Sequence, residues 1–128
     1  DALGLAQHVR LLGFVPDDQL PLAYRAADLT VVPTVALEGF GLITLESLAA
    51  GTPVLVTPVG GLPEAVRGLS EALVLEDATP EALAAGLTEA LTGRRPLPSD
   101  ETCRAYVRVH YDWPVIARRV KAVYEEVL

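Results

Sequence analysis

Short apolar runs alternate with segments of helical periodicity along most of the 128 residues. Val and Leu dominate the apolar runs, which predict strands at residues 9–15, 29–32, 53–57 and 72–75. Helices are predicted between and after them, at residues 20–27, 41–50, 63–67, 79–93, 99–110 and 113–127. Strands separated by helices indicate parallel β-α-β units, so we expect an α/β fold with a doubly wound, Rossmann-like parallel sheet.

The length and the 51% hydrophobic content suit one domain over residues 1–128, closed by the helices of residues 99–128. A formal charge of −7 argues against nucleic acid as a partner, because phosphate binding needs clustered Lys and Arg. The single cysteine, Cys103, cannot form an internal disulfide, which favours a cytoplasmic location. Residues 39–63 carry one charge, but Pro and Gly interrupt them, so a buried strand and helix explain them better than a membrane span.

The segment with the most chemical information joins the second predicted strand to the following helix. Gly39 and Gly41 flank the helix start, where missing Cβ atoms let backbone N–H groups approach a ligand. A helix start offers unpaired N–H groups and partial positive charge, which suit a phosphate or diphosphate. No lysine lies nearby, so an anion would depend on the backbone or on residues outside this sequence. Ligands of such sheets bind beyond the carboxyl ends of the strands, where residues 34–41 and 57–61 are placed.

Two glutamates lie on either side of this helix start. Glu38 precedes the helix and Glu46 lies inside it, roughly 6–8 Å further along the axis at the helical rise. A nucleotide-sugar lying across the helix start would place its diphosphate on the N–H groups. One carboxylate could then accept hydrogen bonds from sugar hydroxyls and the other from ribose hydroxyls.

This segment, Glu-Gly-Phe-Gly-Leu at residues 38–42 with Glu46, resembles the E-x(7)-E motif of retaining, group 1 (family 4) glycosyltransferases of the GT-B fold. The resemblance covers nearly the whole chain and extends to four further segments in the family's order, together with Tyr-Asp-Trp before the last helix. These segments are residues 9–15, 24–29, 51–54 and 59–64. The chain is thereby identified with the C-terminal, donor-binding domain of a GT-B glycosyltransferase, in part.

The resemblance implies a role for each residue of the motif. Glu38 would contact donor-sugar hydroxyls and stabilise positive charge on the sugar ring as the catalytic residue, and Glu46 would contact the ribose. Backbone groups would meet the sugar and diphosphate at Gly39, Phe40, Gly41 and Leu42, and the base at Gly13, Phe14 and Val15. The implied reaction transfers a sugar from a nucleotide-diphospho-sugar with retention, without a cofactor or metal.

The family pattern also contains parts that this sequence lacks. These are an N-terminal acceptor domain and an earlier β-α-β half with a Gly-Arg-Leu segment and a lysine that neutralise the diphosphate. With no Met in the sequence, we expect a piece of a longer, cytoplasmic or membrane-peripheral protein that is inactive by itself. Its exposed sheet edges favour a homo-oligomer.

Two other classes of function stay open at the level of the sequence. One is a non-catalytic nucleotide-binding or assembly module of the same fold, and the intact pair of Glu38 and Glu46 argues against it. The other is a nucleotide-sugar epimerase or a sugar phosphorylase of the GT-B architecture, whose catalytic side chains have no evident place in this sequence. A dehydrogenase is disfavoured because no G-x-G-x-x-G follows a strand.

Overall fold

A computed structural model describes residues 3–127 as helices that cover a small parallel sheet. The two strands are β1 (Thr30–Val32) and β2 (Val54–Val56). The six α-helices of these residues are α1 (Leu20–Arg25), α2 (Leu42–Ala50), α3 (Leu62–Arg67), α4 (Pro80–Leu91), α5 (Asp100–His110) and α6 (Trp113–Val127). A short 3₁₀ helix spans Glu71–Leu73.

The sheet is parallel, as the alternation of strands and helices predicts. β1 pairs with β2 in a register that places Thr30 opposite Val54 and Val32 opposite Val56. A single bridge between Val56 and Val74 continues the sheet on the other side of β2. The α/β fold with a partial Rossmann-like sheet is therefore confirmed.

Helices cover both faces of the sheet. Successive side chains of β2 point to opposite faces, and the side chains on each face pack against different helices. Val54 and Val56 belong to a buried cluster that includes Leu48 of α2, Leu62 of α3 and Cys103 of α5. Leu55 belongs to a second cluster with Leu75 and Ala90, the latter in α4. All three residues of β2 are fully buried, which explains their continuous apolar sequence.

The predicted strand at residues 9–15 is wrong. These residues form no regular secondary structure, and Leu11 and Phe14 are 93% and 88% exposed. A strand needs a neighbour to hydrogen-bond with, and within residues 3–127 the sheet contains only β1, β2 and the bridge at Val74. Gly13 also has a φ of +68°, which interrupts an extended conformation.

The predicted strand at residues 72–75 is largely wrong as well. Ser70 accepts a hydrogen bond from the amide of Ala72 over 3.2 Å and begins the 3₁₀ helix, so only Val74 joins the sheet. Arg95 lies beyond this point, where its Nη1 donates to the carbonyl oxygens of Ala72 at 2.8 Å and Val74 at 3.3 Å. Its guanidinium also forms a pair with the carboxylate of Glu89 at 2.9 Å, so Arg95 covers this edge of the sheet.

The predicted helices are present with small changes at their ends. α2 ends at Gly51, whose φ of +89° is the left-handed conformation expected of a glycine after a helix. Thr79 and Ser99 cap α4 and α5 by accepting hydrogen bonds from Ala82 and Thr102. Within residues 3–127, no helix has the length and apolar character needed to cross a lipid bilayer.

Candidate functional site

The loops that follow β1 and β2 are joined by hydrogen bonds. Thr57, at the end of β2, donates its hydroxyl to the carbonyl oxygen of Thr34 over 2.6 Å. Further along, the amide of Gly61 donates to the carbonyl oxygen of Gly39 over 3.1 Å. The two segments that the sequence places at the carboxyl ends of neighbouring strands therefore form one surface.

Gly60 and Gly61 allow this close approach. A Cβ atom on Gly60 would overlap the carbonyl oxygen of Glu38, and one on Gly61 would overlap that of Gly39. Gly60 also has a φ of +55°, so it forms a turn as well as a close contact. The backbone of these two glycines therefore packs directly against the backbone of Glu38 and Gly39.

The start of α2 is bare of side-chain caps. Gly41 is its N-cap in the left-handed conformation, with a φ of +76°, and no side chain among residues 3–127 bonds to the first N–H groups. A Cβ on Gly41 would also overlap the Cδ2 atom of Leu62, which is buried in α3, so both the φ and this contact favour glycine here. Thr44, in the first turn, is fully buried, and its hydroxyl has no hydrogen-bond partner within the described part of the chain. The helix start thus keeps unpaired N–H groups, as an anion site would.

Glu38 lies directly before this helix start and is half-buried. Its Oε2 accepts a hydrogen bond from the hydroxyl of Thr34 over 3.3 Å. The preceding residue, Leu37, is fully exposed and has a φ of +60°, a conformation that L-residues with side chains rarely adopt. A strained backbone next to a candidate catalytic carboxylate is typical of functional loops.

Glu46 is exposed on α2, about four residues or roughly 6 Å beyond the helix start. Its Oε2 accepts a hydrogen bond from the Tyr24 hydroxyl over 2.9 Å. Both side chains line a cavity of about 470 Å³ between α1 and α2. Burial, with the hydrogen bond and negative charge of Glu46, raises the pKa of Tyr24 from 10.0 to about 12, so the phenol keeps its proton.

An aromatic cluster at the end of α5 packs against the loop. The rings of Phe40 and Tyr111 are 5.8 Å apart, and Tyr111 in turn lies 5.7 Å from Tyr106. The Tyr106 hydroxyl donates to the carbonyl oxygen of Ala65 in α3 over 3.2 Å. The side chain of Phe40 therefore packs against Tyr111, the residue that follows α5.

The candidate site residues fall into two groups. Glu38, Gly39, Phe40, Gly41, Leu42 and Glu46 form one continuous segment at the start of α2. Phe14 and Val15, predicted to meet the base, line a different cavity beside α1, and its lining includes neither glutamate. Gly13 is exposed next to them, and the role of these three residues stays a prediction.

Sequence reasoning missed the side-chain contacts that Tyr24, Thr34 and Tyr111 make within the site. Tyr24 belongs to a predicted helix and to the segment 24–29 that resembles the family, but its bond to Glu46 spans 22 positions and is not visible in the sequence. Tyr111 is the tyrosine of the Tyr-Asp-Trp segment that resembles the family, although that resemblance does not indicate a contact with Phe40.

Comparison with known proteins gives one family. Residues 1–110 match the family described as "Glycosyl transferases group 1". A D-inositol 3-phosphate glycosyltransferase of Thermobispora bispora is 40% identical over 126 residues, which are 98% of this chain and 29% of that protein. A phosphatidyl-myo-inositol mannosyltransferase of Mycobacterium leprae is 33% identical over 130 residues, covering 97% of this chain and 33% of that protein.

A solved structure agrees with this family. Sucrose-phosphate synthase from Thermosynechococcus elongatus superposes with a TM-score of 0.73 at 28% sequence identity, over 98% of this chain and 32% of that chain. The chain therefore spans about a third of the length of the proteins to which it is similar.

Proposed function

The chain belongs to the group 1 glycosyltransferases, which have the GT-B fold, and we propose that it forms the donor-binding part of a retaining enzyme of family 4. Its ligand is a nucleotide-diphospho-sugar, and its function in the complete enzyme is to hold that donor while a sugar passes to an acceptor. Because the chain spans about a third of its relatives, the acceptor domain is a partner supplied by other residues of the complete protein.

The arrangement around the start of α2 is the observation that carries this proposal. Unpaired N–H groups at Gly41 and Leu42 suit the diphosphate. Glu38 stands before them and Glu46 one turn beyond. A carboxylate accepts hydrogen bonds at both oxygens, so each glutamate can bind a pair of sugar hydroxyls. In this arrangement Glu38 binds the transferred sugar and Glu46 the ribose.

The proposed reaction assigns a role to each of these groups. The bond between the anomeric carbon and the diphosphate oxygen breaks, and the acceptor oxygen forms its bond to the same face of that carbon. The acceptor's proton passes to the leaving phosphate oxygen. Glu38 stabilises the positive charge that develops on the sugar ring and does not itself bond to the carbon. The N–H groups of α2 stabilise the growing negative charge of the diphosphate, and no metal takes part.

Binding of nucleotides by this chain tests the proposal. We would titrate UDP, GDP and ADP, each with and without EDTA, and follow the ligand by NMR. One nucleotide should bind, equally well with EDTA, and Glu46→Gln should weaken it about tenfold or more, because a charge-assisted hydrogen bond contributes about 1.5–3 kcal/mol. Glu126→Gln, which neutralises an exposed carboxylate of α6, is the matched control.

The corresponding nucleotide-sugar separates the two glutamates. Glu38→Gln should lower the affinity for the nucleotide-sugar and leave the affinity for the free nucleotide unchanged, since Glu38 is assigned to the sugar. A folded chain that binds none of the nucleotides, or binds them equally after Glu46→Gln, contradicts the proposed donor site.

A further inference from the structure

Tyr24 is fixed at both ends. Its backbone carbonyl accepts a hydrogen bond from the hydroxyl of Thr52 over 2.7 Å, and its phenol donates to Glu46 over 2.9 Å. Thr52 is buried between α2 and β2, and its own carbonyl accepts from Ser47 of α2 over 2.9 Å. These bonds tie Tyr24 to both the middle and the end of α2, so the phenol has a defined place beside Glu46.

The direction of the bond between Tyr24 and Glu46 is unambiguous. An ionised carboxylate can only accept, so the phenol is the donor. The raised pKa of Tyr24, about 12, keeps that proton in place at any physiological pH. The phenol bonds to one lone pair of Oε2, which leaves Oε1 and the second lone pair of Oε2 to accept from two further donors.

We propose that Tyr24 is a positioning residue, which holds the carboxylate of Glu46 in the orientation that binds the two ribose hydroxyls of the nucleotide. This inference rests on the proposed function and adds a specific role for a residue outside the motif. The cavity of about 470 Å³ beside the pair gives the hydroxyls access, and its other walls are Asp17, Leu20, Pro21, Ala49 and Ala50.

The physical reason lies in side-chain freedom. An exposed glutamate samples several rotamers, and a ligand that requires one of them must overcome the loss of that freedom when it binds. The phenol removes this cost in advance because it already holds one rotamer. Its effect is therefore largest for ligands that place two donors on the carboxylate, namely nucleotides with both ribose hydroxyls.

The test uses Tyr24→Phe, which retains the ring and removes only the hydroxyl. For the nucleotide that the wild-type chain binds best among UDP, GDP and ADP, we would measure the affinity of the ribose form and of its 2′-deoxy form. Tyr24→Phe should lower the affinity for the ribose form about three- to tenfold and change the affinity for the 2′-deoxy form less than about twofold. Tyr124→Phe, the same change at an exposed position of α6, should alter neither affinity.

A double variant tests the coupling directly. Because Tyr24 acts through Glu46, Tyr24→Phe should have no further effect on nucleotide affinity in the Glu46→Gln background. Thermal unfolding of each variant is measured in parallel, so that a loss of folded protein is not mistaken for a loss of affinity.

The outcomes separate this inference from the proposed function. Equal weakening of the ribose and 2′-deoxy forms, or unchanged affinity for both, overturns the role of Tyr24 and leaves the donor site intact. Absence of nucleotide binding by the wild-type chain overturns both proposals. Both proposals are supported if Tyr24→Phe lowers the affinity for the ribose form alone, and does so only where Glu46 is retained.

Discussion

The amide of Gly61 donates a hydrogen bond of 3.1 Å to the carbonyl oxygen of Gly39, and this bond joins the loop after β2 to the loop that carries Glu38. The position of Glu38 therefore depends on a residue that is not part of its own strand-helix unit. Backbone contact at this distance requires that Gly61 has no side chain, because a Cβ there would overlap the carbonyl oxygen of Gly39.

Replacement of Gly61 by alanine should displace the Glu38 loop. Its Cβ would overlap the carbonyl oxygen of Gly39, which cannot move without its loop, so we expect a loss of about 1–3 kcal/mol in the free energy of unfolding. Gly39→Ala is the matched control, because its Cβ would have open space, and should cost less than about 0.5 kcal/mol. Urea denaturation measures both, and equal losses would contradict the close contact.

Leu37→Asn should stabilise the chain. Leu37 has a φ of +60° and a fully exposed side chain, so it contributes strain without packing. Asparagine tolerates this conformation better, and we expect a gain of up to about 1 kcal/mol in the free energy of unfolding. The urea midpoint provides the measurement; a lower midpoint in the variant would show that leucine is not strained here.

The contact between α1 and α5 should weaken in acid. Asp100 accepts from Arg104 at 3.0 Å and from Arg25 at 3.1 Å. The hydrogen bond from Arg104, followed by that from the amide of Glu101, holds the pKa of Asp100 below its ordinary value of 3.8. A lowered pKa adds stability above the unfolded value, and this stability is lost as the pH falls through the folded value.

Asp100→Asn should therefore lower the urea midpoint at pH 7, and its difference from the wild type should shrink below a pH of about 3.8. Asp18→Asn, a change at an exposed aspartate before α1, controls for the loss of one negative charge. A difference between wild type and Asp100→Asn that stays constant with pH would refute the ion-pair role.

The thiol of Cys103 should be unreactive in the folded chain. Cys103 is fully buried, and burial, followed by the negative charge of Asp100, raises the pKa of the thiol from 9.0 to about 11. Because the thiolate is the nucleophile, a disulfide reagent at neutral pH should react only as the chain opens. Labelling should be slow in buffer and rapid in denaturing urea, and rapid labelling in buffer would place the thiol at the surface.

The sequence predicts those elements that short-range interactions determine. The helix that ends at Gly51 and those that begin after Thr79 and Ser99 have their signals within a few residues, and the structure confirms them. Residues 9–15 have the composition of a strand, but a strand forms only beside a neighbour, which local sequence does not provide. In the same way, Ser70 begins a local turn that competes with the predicted strand at residues 72–75.

The candidate site shows the same division. Glu38, the glycines and Glu46 lie within nine residues, so their spacing is visible in the sequence. Tyr24 lies in α1 and Tyr111 directly follows α5. Only the fold brings the phenol of Tyr24 to Glu46 and the ring of Tyr111 to Phe40. The interactions that hold the site's residues in place are the long-range ones.

The guanidinium of Arg95 makes the sheet asymmetric. It occupies the outward carbonyl oxygens of Ala72 and Val74, so a further strand on that side would first have to displace an arginine that Glu89 also holds. Within residues 3–127, no strand pairs with the far side of β1. A strand added beyond Val74 would have to replace these arginine bonds, whereas one added beside β1 would face Val31, whose backbone groups point away from β2.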